Sequence, residues 1–277
     1  MLRWYVSRTL TLYLPLALFA LITLLPFYWM LITSLKRDQE LYSFDDPLWV
    51  KRPTLMSYAR LLSTTPFVHW FKSSAIVALT SATIALLIGA LAGFAIARLR
   101  FPGRYHLSQT VLLTYLVPQT LLFIPMYDIF YRLRWLDTYL SLIMSSLTFV
   151  VPFATWLLIG YFRSIPKEIE ECAQIDGATK LQTLWRIVLP LSAPGLVSAG
   201  LFAFTQAWNM FIYPLVFISS PEKKTIPVGI SALQMGDVFL WGQLMAAGVL
   251  ASVPLVVFYT FFQRYMVEGL TAGAVKG

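Results

Sequence analysis

The spacing of charges constrains this chain more than any other feature. Six long stretches carry no Asp, Glu, Lys or Arg: 9–35, 73–97, 105–127, 138–162, 187–221 and 238–263. Even the shortest of them exceeds the roughly 20 apolar residues that a helix needs to cross a bilayer. Hydrocarbon offers no water to satisfy an open backbone, so such spans are expected to be helical. The predicted fold is an all-α polytopic membrane protein: a single transmembrane domain over 1–277 with six transmembrane helices near 10–33, 73–97, 106–127, 139–161, 195–217 and 242–263. The fifth run is longer than one span needs and takes in flanking segments. A hydrophobic share of 58% against 12% charged residues fits the same class. The first run reads as a span rather than a cleaved signal, because it is too long for a signal core and no small-residue cleavage site follows it.

Six spans place both termini on one side, and the basic residues indicate which. Arg3 and Arg8 precede the first run, and Arg98, Arg100 and Arg104 fill the loop after the second. Arg163, Lys167, Lys180 and Arg186 lie between the fourth and fifth runs, and Arg264 follows the sixth. The short loops on the other face hold Arg132, Arg134, Lys223 and Lys224, although the loop after the first run also carries Lys36, Arg37, Lys51, Arg52 and Arg60. The positive-inside rule then predicts a multi-pass protein of the plasma (inner) membrane with both termini cytoplasmic. Membrane lipid headgroups account for the net charge of +8, so no nucleic-acid partner is expected. The lone Cys172 excludes an intrachain disulfide and a multi-cysteine metal site.

What the runs lack is equally informative. Ion-coupled carriers and voltage sensors place ionisable groups inside the bilayer, and here the runs hold none beyond His106 at the edge of the third. No acid, base or nucleophile pair can be assembled there, which argues against an intramembrane enzyme. Energy for any transport is therefore expected to enter from outside the membrane domain. Gly89 and Gly93, four apart, allow close approach of a neighbouring helix. Pro118, Pro125, Pro152, Pro214 and Pro254 are positions where helices can kink. The densest polar cluster in a span is Thr205, Gln206, Trp208 and Asn209. An aromatic ring beside amides suits a sugar, and the same residues equally suit helix–helix hydrogen bonding with Trp208 in an interface belt.

Residues 163–190 stand apart from the rest as a charged, punctuated loop. Pro166 suits the first helical position. Glu168, Glu170 and Glu171 follow where the helix dipole favours acids, and Gly177 reads as a left-handed stop. That predicts a helix of about 11 residues with Ile165, Ile169, Cys172 and Ala173 on one stripe. A second short helix is predicted from near Thr179, with Leu181, Leu184 and Val188 at helical spacing. Pro190 and Pro194 mark the start of the fifth span. A plain linker needs only a few polar residues, so this element reads as a docking device.

The stretch "ECAQIDGATKLQTLWRIVLP" resembles the cytoplasmic loop signature of ABC importer permeases. Glu171, Ala173, Asp176, Gly177, Ala178, Ile187, Leu189 and Pro190 fall in register with it, and Cys172 stands where the signature has its first Ala. "RPTLMSYARLL", "FAIARLRFPGR", "LVPQTLLFIPMY", "RWLDTYLSLI", "AWNMFIYPL" and the ending "VEGLTAGAVKG" resemble carbohydrate permeases, specifically the second permease subunit of the maltose type. Ser73–Ser74 replaces that family's usual Asn-Ser, which puts one polar contact of the second span in question.

The resemblance implies a homologous second permease subunit, two ATPase subunits beneath, and an extracytoplasmic solute-binding protein. It implies that 163–190 is the coupling loop, with Glu171, Cys172, Ala173, Asp176, Gly177, Ala178 and Pro190 at the ATPase. It implies that ATP and Mg are bound by the partner ATPase, with no cofactor, metal or catalytic residue in this chain. Gln206, Trp208 and Asn209 then become the candidate substrate path. The tail, with Gly273, Ala274, Lys276 and Gly277, becomes a contact between the ATPase subunits; it has too little helix propensity to form a helix of its own. The segment "SSPEKKTIPVGISALQMGDVFLWGQ" resembles the part that meets the binding protein. The alternatives are the same machinery importing glycerol phosphate, a polyol or an amino sugar, and, from another class, an ion-coupled carrier.

Overall fold

The computed structural model describes residues 9–42, 48–235 and 238–274. A π-helical turn, Thr9–Tyr13, leads into α1 (Leu14–Leu35), followed by short α2 (Asp38–Leu41) and α3 (Met56–Thr64). Then come α4 (Phe67–Arg98), α5 (Arg104–Tyr115), α6 (Gln119–Arg132) and α7 (Tyr139–Ser164). The punctuated loop forms α8 (Lys167–Ile175) and α9 (Lys180–Leu191), the latter containing a π turn at Leu184–Val188. Beyond it lie α10 (Ala193–Trp208), α11 (Ile212–Phe217) and α12 (Ile226–Ser231). A two-residue antiparallel pair, β1 (Gln234–Met235) with β2 (Val238–Phe239), precedes α13 (Trp241–Ala274).

Among the described residues, four helical segments are long and apolar enough to cross a membrane: Thr11–Leu35, Phe67–Arg98, Tyr139–Ser164 and Trp241–Tyr265. The pair α9–α10, bent by 82°, makes a fifth only when its two helices are counted together as one span. The expected third span, 106–127, is not one helix. It is split at Leu116–Pro118 into α5 and α6, because Pro118 lacks the N–H that would continue the ladder and disfavours helical backbone at Val117. The expected fifth span, 195–217, is likewise interrupted between Trp208 and Ile212. At the C-terminal end, the backbone of the tail continues α13 as far as Ala274. A sequence too weak to nucleate a helix can extend one already formed, since propagation lacks the nucleation cost. Lys276 and Gly277 lie outside the described residues.

The chain forms two compact units, 1–67 with 230–253 and 68–229 with 254–277. In the first, the Leu35 carbonyl accepts from the Thr54 amide at 2.9 Å, and the Ser34 and Tyr58 hydroxyls meet at 2.8 Å. The second is organised around α7. Thr138 caps it by accepting from the Ser141 amide, and its buried stripe runs from Ser141 and Leu142 through Phe149, Ala154 and Leu158 to Phe162. This helical spacing turns one face of α7 toward its neighbours.

Between helices in lipid, association rests on packing rather than on removing surface from water. The contacts show how close that packing is. A Cβ at Gly89 would lie 3.2 Å from Ala154, and one at Gly93 would lie 3.3 Å from Leu158 and Phe162. The ends of α4 and α7 also correspond. Ser73 meets Tyr139 at 3.0 Å, while Arg98 meets Ile165 and Glu170. The two helices therefore run parallel, and α5 with α6 must return the chain from the Arg98 end to the Tyr139 end. α10 packs on both α4 and α7, with Ala199 in a cluster with Ala90 and Ala154, and Phe202 stacks on Phe153 of α7 with ring centroids 3.6 Å apart.

Candidate functional site

The loop 163–190 folds as a helix, a glycine turn and a second helix. α8 spans nine residues rather than about 11, and Pro166 sits one position before it as N-cap, its ψ of 134° still extended. Its C-terminus is a Schellman turn. The Ala178 amide donates to the Ala173 carbonyl at 2.9 Å, the Gly177 amide donates to Gln174 at 3.1 Å, and Gly177 takes φ +87°. These bonds close the turn through the backbone. No side-chain hydrogen bond of Asp176 occurs among the described residues, so its carboxylate remains exposed and available. Thr179 then opens α9 with a capping box. The Gln182 amide donates to Thr179 Oγ1 at 3.3 Å, and the Thr179 amide donates back to Gln182 Oε1 at 2.8 Å.

The element has an inner and an outer side. Leu184, Val188 and Leu189 are buried in a cluster with Phe94, Leu158 and Phe162, which seats α9 on α4 and α7. Leu181, expected on the same stripe, is 57% exposed, together with Ile169, Trp185 and the nearly bare Ile175. Cys172 is exposed as well. A Cβ added at Gly177 would meet nothing within 4 Å. Apolar side chains and an unobstructed turn thus face away from the protein body.

The two neighbouring glutamates diverge. Glu171 is exposed and has no ion pair among the described residues. Glu170 points inward and is paired with Arg98 Nε at 2.5 Å, both side chains only 7% exposed. Arg98 Nη2 also donates to the Ile165 carbonyl at 2.8 Å. Removing one partner of such a buried pair costs about 3–5 kcal/mol because the other charge is left uncompensated. Sequence reasoning grouped Glu170 with the first-turn acids and Arg98 with the basic loop. The usable signal was the helical rotation of about 100° per residue, which forces adjacent acids onto different faces.

At the opposite ends of α4 and α7 lies a second organised region. Asp137, with φ 56°, accepts from the backbone amides of Ser219 and Ser220, from the Ser220 hydroxyl, and from Lys223 Nζ at 2.9 Å. Trp70 Nε1 donates to the Pro221 carbonyl at 2.9 Å. Besides the Ser73–Tyr139 contact, the Ser73–Ser74 pair makes two contacts to the 219–226 segment. Ser73 reaches the Glu222 carbonyl, and Ser74 Oγ accepts from the Ile226 amide at 2.8 Å. Together these bonds clamp 219–226.

Burial would raise the Asp137 carboxyl, but the Ser220 hydroxyl, Lys223 and the two amides outweigh it and hold it well below the usual carboxylate range. A depressed carboxylate contributes stability that is complete above its unfolded value near 4 and is lost as pH falls below it. Asp137→Asn keeps tolerance of the left-handed backbone and removes the charge. Acid unfolding followed by circular dichroism should show the wild type losing stability below about pH 4 more steeply than Asp137→Asn. Parallel curves would refute the assignment.

The candidate substrate-path residues do not form one surface. Trp208 is 3% exposed, its ring stacked on Phe204 and edge-on to Phe71. Gln206 is half-buried, and Asn209 is exposed at the end of α10. Thr205 Oγ1 is buried with no hydrogen-bond partner. Gly273 and Ala274 lie in the final turn of α13.

Comparison with known proteins joins these features. The chain is 38% identical over 267 residues to the inner membrane ABC transporter permease protein YcjP of Escherichia coli, covering 96% of this chain and 95% of that protein. It is 38% identical over 264 residues to the trehalose/maltose transport system permease protein MalG of Thermococcus litoralis, covering 94% of each. It is 35% identical over 257 residues to the diacetylchitobiose uptake system permease protein DasC of Streptomyces coelicolor, covering 91% of each. In fold it matches a bacterial ABC transporter involved in import of the acidic polysaccharide alginate, with a TM-score of 0.77 at 22% identity over 91% of this chain and 94% of that one. Residues 6–271 match the binding-protein-dependent transport system inner membrane components, and the chain belongs to that family.

Proposed function

We propose that this chain is one permease subunit of an ATP-driven importer of a saccharide, paired with a homologous second permease and served by two ATPase subunits and an extracytoplasmic binding protein. The observation that carries the reading is the outward face of α8 and α9. The same helix–turn–helix exposes Ile175, Leu181 and Trp185, Glu171 and an unobstructed left-handed Gly177, a surface suited to an ATPase cleft. Glu171 serves as its polar anchor. Cys172, Ala173, Asp176 and Ala178 line the contact, and Pro190 lies where α9 leads into α10. ATP and Mg bind the partner ATPase, and this chain performs no catalysis.

The whole chain acts as one permease domain with six crossings, α5–α6 forming the third and the bent α9–α10 region leading into the fifth. Parallel α4 and α7 support this count, since the chain must return between them. Both termini are cytoplasmic. Gln206 and Asn209 offer polar groups to a passing solute, with Trp208 in the packing behind them. The α13 tail, through Gly273, Ala274, Lys276 and Gly277, reaches the ATPase subunits.

The saccharide assignment rests on relatives whose names specify trehalose/maltose and diacetylchitobiose transport. The test is uptake by liposomes holding the full complex with its binding protein, offered labelled maltose, trehalose and diacetylchitobiose. Uptake of at least one should require ATP and the binding protein and should proceed with no ion gradient. A chain lacking 270–277 should assemble but transport less. Uptake driven by an ion gradient without ATP would contradict the reading.

A further inference from the structure

The joint between α7 and α8 is short and non-helical. Ile165 has φ −77°, ψ 129°, and Pro166 has φ −58°, ψ 134°, so the helical hydrogen-bond ladder does not pass through them. A joint of this kind is a hinge unless side chains lock it. Arg98, the last residue of α4, bridges it. Its guanidinium donates to the Ile165 carbonyl in the joint itself and to the Glu170 carboxylate one turn into α8. The fork geometry of arginine allows both bonds at once, which a lysine could not reproduce. Just upstream, Gly89 and Gly93 bring α4 against α7 so closely that the two helices have little freedom to slide.

We propose that Arg98 and Glu170 are positioning residues for energy coupling. They lock the Ile165–Pro166 hinge, so that displacement of α8 moves α4 and α7 together as one lever. This deepens the docking reading of α8 and rests on it. Chain connectivity joins α8 to α7 through the hinge and to α9 through the glycine turn; the ion pair ties α8 itself directly to α4. Without it, α8 pivots on the hinge, and ATPase movement is dissipated before it reaches the membrane helices. Glu170 and Glu171 then divide the work, one facing the membrane helices and one facing the ATPase.

The test uses the complete complex in liposomes and reads transported solute per ATP hydrolysed. Glu170→Gln and Arg98→Gln should keep their ATPase subunits, and that ratio should fall about tenfold. The exchanged pair, Arg98→Glu with Glu170→Arg, should recover about threefold over either single variant, because the charges can meet again although the Ile165 bond is lost. A wild-type ratio in either single variant overturns the proposal. So does an exchanged pair no better than the singles, or loss of the ATPase subunits from both single variants. Gly177→Leu is measured alongside. If it too leaves transport intact, the docking reading has failed; if it acts while the pair variants do not, only the hinge lock has failed.

Discussion

Gly177→Leu should abolish transport while the chain still inserts and folds. The residue takes φ +87°, and nothing lies within 4 Å of where its side chain would begin. The intramolecular cost is therefore the left-handed backbone alone, about 1–2 kcal/mol. A leucine would project from the turn into the space that the proposed ATPase contact requires. Gly177→Ala carries the same backbone cost with far less reach, so the pair of variants separates strain from obstruction. In purified complexes, Gly177→Ala should retain its ATPase subunits, whereas Gly177→Leu should lose them by about tenfold or more, equivalent to over 1.4 kcal/mol of association free energy. Equal retention in the two would mean that the turn does not face the partner.

A glycine in the same region should fail in the opposite way. A Cβ at Gly195 would lie 2.4 Å from Tyr161 Cγ, against the body of an aromatic ring rather than the end of a flexible chain. Gly195 lies in the first turn of α10, just after the 82° bend, and sets how closely that helix meets α7 at Tyr161. Gly195→Leu should therefore cost about 3 kcal/mol or more through overpacking and reduce the amount of folded protein recovered in detergent. Gly195→Ala should be milder, and adding Tyr161→Ala should restore its thermal stability. If Gly195→Leu matched the wild type in melting temperature, α10 could not pack on α7 as described.

Gly177 could be read from the sequence and Gly195 could not, for a physical reason. A helix stop is a local event, and an acidic first turn followed by Asp-Gly announces it. Close approach between distant helices has no local signature. The long apolar helices α1, α4, α7 and α13 were legible for the same local reason, since each is built around a charge-free run, although α4, α7 and α13 extend past theirs. The third run has the right length but is broken by Pro118, and a proline within a run does not by itself say whether the helix bends or stops. Trp208 was grouped with Gln206 and Asn209 by adjacency, yet helical rotation turns its ring into the packing around Phe71 and Phe204. The Arg98–Glu170 pair joins positions 72 residues apart, and no spacing rule reaches that far.

In the proposed function, α8 faces the cytosol and is covered by an ATPase. Cys172, exposed on α8 and the only cysteine in the chain, reports on it directly. The measurement is the rate of labelling of Cys172 by a membrane-impermeant maleimide in intact cells, in inverted vesicles stripped of ATPase, and in the same vesicles after the ATPase is added back. The account predicts no labelling in intact cells, rapid labelling in stripped vesicles, and protection on rebinding. Labelling from outside intact cells, or an equal rate with and without the ATPase, would contradict it.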